Sequence, residues 1–215
     1  MTVTKQDVLD AARGMLAKGL VAGTAGNVSG RIGEGAICLT PSSIAYETMT
    51  LADLVVTDLD GNVIEGVRGP TSEKALHLAC YRRYPEVGGV IHSHAAHATM
   101  FALVRRPIPA IIEEVVVYIG GDVPVCDYEP TGSDELGEEV ASRLVDRSAV
   151  ILANHGIVTL GKNPDKALHN AELVERTAMI VWGARALGSR LHELPEKTNK
   201  DMSGVYKLFR DNPDL

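Results

Sequence analysis

Val90-Ile91-His92-Ser93-His94-Ala95-Ala96-His97 is the stretch whose reading decides both the fold and the site. Apolar residues run into it from Val87, and an alanine-rich amphipathic segment follows from Ala95 to Val104. The pattern predicts a buried strand ending in a strand-to-helix turn. Residues i and i+2 of a strand point to one face, so His92 and His94 project together. Two imidazoles on one face are half of a divalent-metal site. A lone His-x-His pair also arises with no ligand role.

The bulk properties narrow the class. A chain of 215 residues suits a single domain spanning residues 1–215 and can bury a sizeable core. Hydrophobic content of 45% argues against disorder, and no apolar run approaches the length of a membrane span. Met1 to Asp10 has neither the basic start nor the apolar stretch of a signal peptide. Cys38, Cys80 and Cys126 are odd in number and lack paired ligand spacing, which predicts a reduced, cytoplasmic protein. Net charge −7 and a pI near 5.5 argue against a nucleic-acid partner, which would need a basic face. An acidic chain can still hold a phosphorylated metabolite locally, through backbone N–H groups and a metal.

Thr4 to Asp7 reads as a capping box. Val8, Ala11, Ala12, Met15 and Leu16 follow on one helical face, closed by Gly19. Gly23 to Gly30 reads as a small-residue loop. Arg31-Ile32 and Ala36 to Leu39 read as strands around Gly33-Glu34-Gly35. Leu54 to Leu59 and Asn62 to Glu65 flank Asp60-Gly61, a hairpin signal. Thr71 or Ser72 is the natural N-cap of a helix to about Tyr84, with Ala75, Leu78 and Ala79 inward. Ile111 to Ile119, β-branched around Glu113-Glu114, reads as a strand, and Val123 to Tyr128 as another. Ser133 caps a helix to about Val145, and Val150 to Leu160 forms two strands broken at Asn154-His155-Gly156. Asn163-Pro164 opens a long helix that stops at Gly188. Hairpin-like strands with interleaved helices predict one α/β domain, a largely antiparallel sheet covered by helices on both faces.

His155 lies in a tight break between apolar strands, where a polar residue must be accounted for. Taken alone it reads as a satisfied core histidine. Glu73 lies in the first turn of its helix, where an acid is also simply favourable electrostatics. Together, His92, His94, His155 and Glu73 make the N and O donor set that zinc favours. Gly26-Asn27 and Ser42-Ser43 offer backbone N–H groups and short donors in loops, and Thr71-Ser72 stands at a helix N-terminus. Each segment alone is more often a turn or cap. Three beside a metal site suggest a phosphate-bearing substrate bound across its length.

Gly26-Asn27-Val28-Ser29, Thr40-Pro41-Ser42, Ser72-Glu73, His92 to His97 and Asn154-His155-Gly156 occur in the order and spacing of the class II aldolase/adducin family. The chain resembles that family from about Val8 to Leu187, on the side of its L-fuculose-1-phosphate aldolases. The resemblance implies a three-layer αβα sandwich with a central, largely antiparallel sheet. It also implies a homotetramer with active sites at subunit interfaces. One Zn²⁺ per subunit is implied on His92, His94 and His155, with Glu73 as a fourth ligand that swings away to act as base and acid. Gly26, Asn27, Ser42, Ser43, Thr71 and Ser72 are implied to hold the substrate phosphate. The implied reaction is retro-aldol cleavage of a ketose 1-phosphate, through a metal-stabilised enediolate, to dihydroxyacetone phosphate and an aldehyde.

Two positions depart from the family pattern. Ser43 stands where the phosphate loop often ends in glycine. The aldolase's tyrosine proton donor falls at Glu114, in a stretch one residue longer. Tyr118 is an even step away and about 13 Å along the expected strand. Glu113 or Glu114 is then available for another acid/base task, dehydration included, or for a polar subunit contact. Tyr206 and Arg210 would close over the site as a tail, or belong to an amphipathic terminal helix. The other readings are a methylthioribulose-1-phosphate dehydratase-like enzyme and a sugar-phosphate epimerase. The epimerase is disfavoured because that relative carries aspartate where Glu73 stands. An adducin-like binding module would have lost the histidines that this chain keeps.

Overall fold

Val90 and Ile91 point to opposite faces of one sheet, and each face has its own apolar core. The computed structural model describes residues 2–188 and 190–212. Its sheet has eight strands. They are β1 (Asn27–Gly33), β2 (Ala36–Leu39), β3 (Val55–Thr57), β4 (Val63–Glu65), β5 (Gly89–Ser93), β6 (Val125–Cys126), β7 (Ala149–Leu152) and β8 (Ile157–Gly161). The spatial order is β4-β3-β2-β1-β5-β8-β7-β6. Every pairing is antiparallel except β6 with β7. The histidine strand β5 therefore lies inside the sheet, between β1 and β8.

The period of two sorts side chains cleanly. Cys38, Ile91, Ile151 and Ile157 join one core, with residues of α1 (Lys5–Ala17), α3 (Ala96–Val104), α4 (Glu113–Ile119) and α6 (Pro164–Ala186). Ile37, Leu39, Val90, Val150, Leu152 and Val158 join the other, with α2 (Lys74–Arg83), α5 (Asp134–Arg143), Cys80 and Cys126. The result is the expected αβα sandwich. All three cysteines are free and buried. Burial pushes the thiols of Cys38 and Cys80 up to about 12.

Local signals account for the helix boundaries. Thr4 and Asp7 form the capping box of α1, Ser133 accepts from the Leu136 N–H, and Asn163 accepts from the Lys166 N–H before Pro164. The terminal helix α7 (Glu196–Asp211) is amphipathic and buries Tyr206.

Three expectations need correction. Glu113–Ile119 is the helix α4, not a strand. Val115, Val116 and Ile119 are its buried residues, a spacing that one helical turn also satisfies. The strand β1 begins at Asn27, so Asn27 and Ser29 are sheet residues rather than loop residues. The helix α2 begins at Lys74 with Glu73 as N-cap, not Thr71 or Ser72. The Thr71 hydroxyl instead accepts the Glu73 N–H at 3.2 Å.

Candidate metal centre

Register builds the centre. Asn27 of β1 pairs with His92 of β5, and His92 pairs with Val158 of β8. His92 and His94 therefore leave the end of a fully buried strand, next to the β7–β8 connection that carries His155. Asn154 in that connection takes a left-handed φ of 59°. A Cβ at the neighbouring Gly156 would stand 2.4 Å from the Ser93 carbonyl and 3.1 Å from the His94 ring. Only glycine lets the connection come this close. Gly26 has the same role on the other side, with φ 73° and no room for a Cβ, which would lie 2.7 Å from the His92 carbonyl.

The three imidazoles converge on one point. Ring centroids of His92, His94 and His155 lie 4.6 to 4.9 Å apart. Nε2 of His92 is 2.9 Å from Nε2 of His94. Glu73 completes the ring, with Oε2 at 3.3 Å from His92 Nε2 and Oε1 at 3.5 Å from His155 Nε2. Four donors about 2.1 Å from a tetrahedral cation stand roughly 3.4 Å apart. The ligand atoms of His92, His94 and His155 lie within 4.8 Å of one another, close enough to share one divalent ion, and the Glu73 carboxylate adjoins two of them. The donor chemistry fits too: Glu73 Oε1 is buried with no hydrogen-bond partner, an arrangement that costs free energy unless a cation or proton meets it.

Protonation states agree with ligation. His92 Nδ1 donates to the Ile157 carbonyl at 3.0 Å, which leaves Nε2 as the free donor atom. Burial, with His155 and His94 beside it, holds the His92 pKa well below the ordinary imidazole value. Burial and then His155 lower that of His94 as well. His97, the third histidine of the motif, is elsewhere: its Nδ1 lies 2.7 Å from Glu175.

The three anion-loop segments are brought side by side. Pro41 bridges to Pro70, the Thr71 N–H donates to the Thr40 carbonyl, and the Ser72 N–H donates to the Ser42 hydroxyl at 3.1 Å. Thr40 in turn exchanges bonds with Val28, next to Gly26-Asn27. Ser42, Ser43 and Ser72 are exposed, and Thr71 is buried. Ser43 holds a left-handed φ of 61°, the conformation that glycine adopts at no steric cost. Asn27 differs from the expectation of a free loop donor. Its amide donates to Glu73 Oε2 at 2.8 Å, and its oxygen faces His77 Nε2.

The remaining candidates make their contacts with residues other than the three histidines. Glu114 is exposed and ion-paired with Arg176 at 3.4 Å, and Glu113 is exposed beside it. Tyr118, one turn along α4 from Glu114, stacks on Phe209. Tyr206 is buried, with its hydroxyl between Ser148 at 3.1 Å and Arg210 at 2.8 Å. Both tyrosines line a cavity of about 350 Å³ that reaches Gly161 and Lys162 at the far end of β8. That end is roughly 13 Å of strand from the histidine end.

His77 and Tyr81 belong to none of the motifs read from the sequence. The available signal was the spacing Glu73, His77, Tyr81, which places three polar residues on one helical stripe. His77 is fully buried between Ser29 and Asn27, and burial drives its pKa down to about 3, so it is neutral.

The strand order, the three histidines and the adjoining carboxylate together define a class. The chain belongs to the class II aldolase and adducin N-terminal domain family, whose model matches residues 6–182. It is similar to L-ribulose-5-phosphate 4-epimerase UlaF of Salmonella paratyphi B, 38% identical and covering 91% of each chain. It is also similar to a solved L-fuculose 1-phosphate aldolase at 34% identity and TM-score 0.89, covering 94% of this chain and 95% of that one. The L-fuculose-1-phosphate aldolase of Thermus thermophilus superposes at TM-score 0.73 with 26% identity, over 86% of this chain and 96% of its own. No helix among the described residues is long and apolar enough to cross a membrane.

Proposed function

We propose that the chain is a zinc-dependent aldolase that cleaves a ketose 1-phosphate of the L-fuculose-1-phosphate type to dihydroxyacetone phosphate and an aldehyde. The observation that carries this reading is Glu73, a buried carboxylate with one unpartnered oxygen inside a ring of imidazole nitrogens. His92, His94, His155 and Glu73 would hold one Zn²⁺ per subunit. When bound, zinc supplies Lewis acidity toward the substrate's carbonyl and adjacent hydroxyl oxygens.

Glu73 carries the proton. In cleavage the C3–C4 bond breaks and its electron pair stays on C3. The C4 hydroxyl passes its proton to Glu114 as the aldehyde forms, protonated Glu73 delivers one to C3, and solvent water returns both carboxylates to their starting states. In condensation Glu73 Oε1 removes that C3 proton from dihydroxyacetone phosphate. The N–H groups and hydroxyls left free among Gly26, Asn27, Ser42, Ser43, Thr71 and Ser72 would hold the C1 phosphate. Glu114 is exposed and paired with Arg176 rather than with the histidines, so for a proton-transfer role at C4 it would reach a neighbouring subunit's site in a homotetramer. Tyr206, committed to Ser148 and Arg210, would support that surface from behind.

The similarity to an L-ribulose-5-phosphate 4-epimerase favours one second reading. A pentulose 5-phosphate is also a β-hydroxy ketone. The same C3–C4 cleavage, followed by re-addition to the opposite face of the aldehyde, inverts C4.

The test is retro-aldol cleavage by metal-loaded protein on a panel of ketose 1-phosphates and pentulose 5-phosphates. Dihydroxyacetone phosphate release is coupled to a reductase, and epimers are resolved chromatographically. Chelator-sensitive release that disappears in Glu73→Gln supports the aldolase. Epimer without release supports the second reading. Neither product from metal-loaded protein shifts the proposal to dehydration, with Glu113 and Glu114 as its acid/base candidates.

A further inference from the structure

Behind Glu73, on the face covered by α2, lies a polar chain that reaches no solvent. Tyr81 Oη is 3.0 Å from Ser29 Oγ, and Ser29 Oγ is 2.7 Å from His77 Nδ1. His77 Nε2 is 2.5 Å from Asn27 Oδ1, and Asn27 Nδ2 is 2.8 Å from Glu73 Oε2. All five residues are buried.

The sense of the chain is set at one end. The Asn27 amide nitrogen faces Glu73 Oε2 and donates to it at 2.8 Å. Asn27 Oδ1 then faces His77 and needs a donor, so His77 carries its proton on Nε2. Nδ1 is left to accept from Ser29, and Ser29 to accept from Tyr81. Every link points toward Glu73. No other orientation satisfies all five groups, and each buried group left unpaired would be penalised.

We infer that His77 is a positioning residue for Glu73, fixing through Asn27 which carboxylate oxygen is held and which is free. Oε2 is held from behind, and Oε1 is the oxygen presented toward His155. Glu73 stands at an N-cap, yet its side chain makes no bond to the helix N–H groups, so this chain supplies the hydrogen bond that orients the carboxylate. The inference rests on Glu73 being the acid/base group, although the tautomer it requires does not.

Two measurements separate these. Long-range ¹H–¹⁵N spectra of protein labelled at its histidines, with His77 identified by its loss in His77→Gln, must show the Nε2–H tautomer. An Nδ1–H tautomer overturns the inference whatever the enzyme acts on. In kinetics, His77→Leu is expected to lower kcat by about 10- to 100-fold with KM changed less than about twofold. His77→Gln, whose amide N–H takes the place of Nε2–H, restores kcat to within about threefold of wild type. Equal losses in both variants, with thermal unfolding unchanged in His77→Gln, overturn the positioning role. Wild-type protein that shows the Nε2–H tautomer but cleaves no sugar phosphate counts against the aldolase reading alone.

Discussion

At the residue scale, the polar groups of the site are held by burial that each has to offset. His77 shows the consequence for pH. Its folded-state pKa is lowered to about 3 by burial, against an ordinary 6.5, so between those values the unfolded chain binds a proton that the native chain does not. Stability from this group is therefore complete above about pH 6.5 and falls as the solution is acidified, by about 2 kcal/mol at pH 5. Urea unfolding at pH 7 and pH 5 should show wild type losing about 2 kcal/mol more than His77→Gln over that interval. Equal losses would mean that His77 protonates in the folded protein. Ser43 presents the opposite opportunity. Its left-handed φ of 61° costs about 1–2 kcal/mol in a residue with a Cβ, part of which glycine gives back as entropy. Ser43→Gly should stabilise by about 0.5–1 kcal/mol in thermal unfolding, and a loss would assign the Ser43 side chain a contact of its own. The strand period places His92 and His94 on one face, whereas His155 in a loop and Glu73 at a helix N-cap are ambiguous alone and join them only as a set. Asn27 was legible by type and not by partner. Its commitment to Glu73 and His77, 46 and 50 residues away at the start of α2, comes from tertiary packing that no local pattern encodes.

Elements followed their own signals wherever caps and periodicity agreed, as in α1, α5 and α6. They departed where composition pointed one way and packing another. Glu113–Ile119 is rich in β-branched residues, yet α4 lies against α6 and α7, where Val115, Val116 and Ile119 are buried from a single turn. Strand propensity is worth little once tertiary contacts choose. The same correction changes how Glu114 relates to Tyr118: on a helix they are neighbours one turn apart. The helix α3 illustrates support from outside an element. Its N-cap Ala95 has no side-chain acceptor, and Glu175 of α6 takes over, accepting from the His97 N–H at 3.0 Å and the Ala98 N–H at 2.9 Å. Glu175→Ala should cost about 1–2 kcal/mol in urea denaturation. A change under about 0.3 kcal/mol would show that water caps α3 equally well.

For the whole molecule, the acidic chain (net charge −7) concentrates its chemistry at one end of the sheet and leaves apolar side chains outside. Met179 and Trp182, three residues apart on α6, are 44% and 52% exposed. In the proposed homotetramer this face is a candidate for subunit contact, and Trp182 is the chain's only tryptophan. Its emission should be blue-shifted at micromolar concentration and move red on dilution, in step with the mass seen by gel filtration. Concentration-independent red emission from an oligomer of constant mass would exclude α6 from the contact. The two cores offer one more consequence. Cys38 is sealed in the layer of α1, α3, α4 and α6, and Cys80 and Cys126 in the layer of α2 and α5. Slow alkylation of the native protein thus acts as a two-channel clock. If both layers open in one cooperative event, three adducts arrive together in the mass spectrum. If the sandwich peels, a one-adduct species modified at Cys38, or a two-adduct species modified at Cys80 and Cys126, accumulates first and names the layer that lets go.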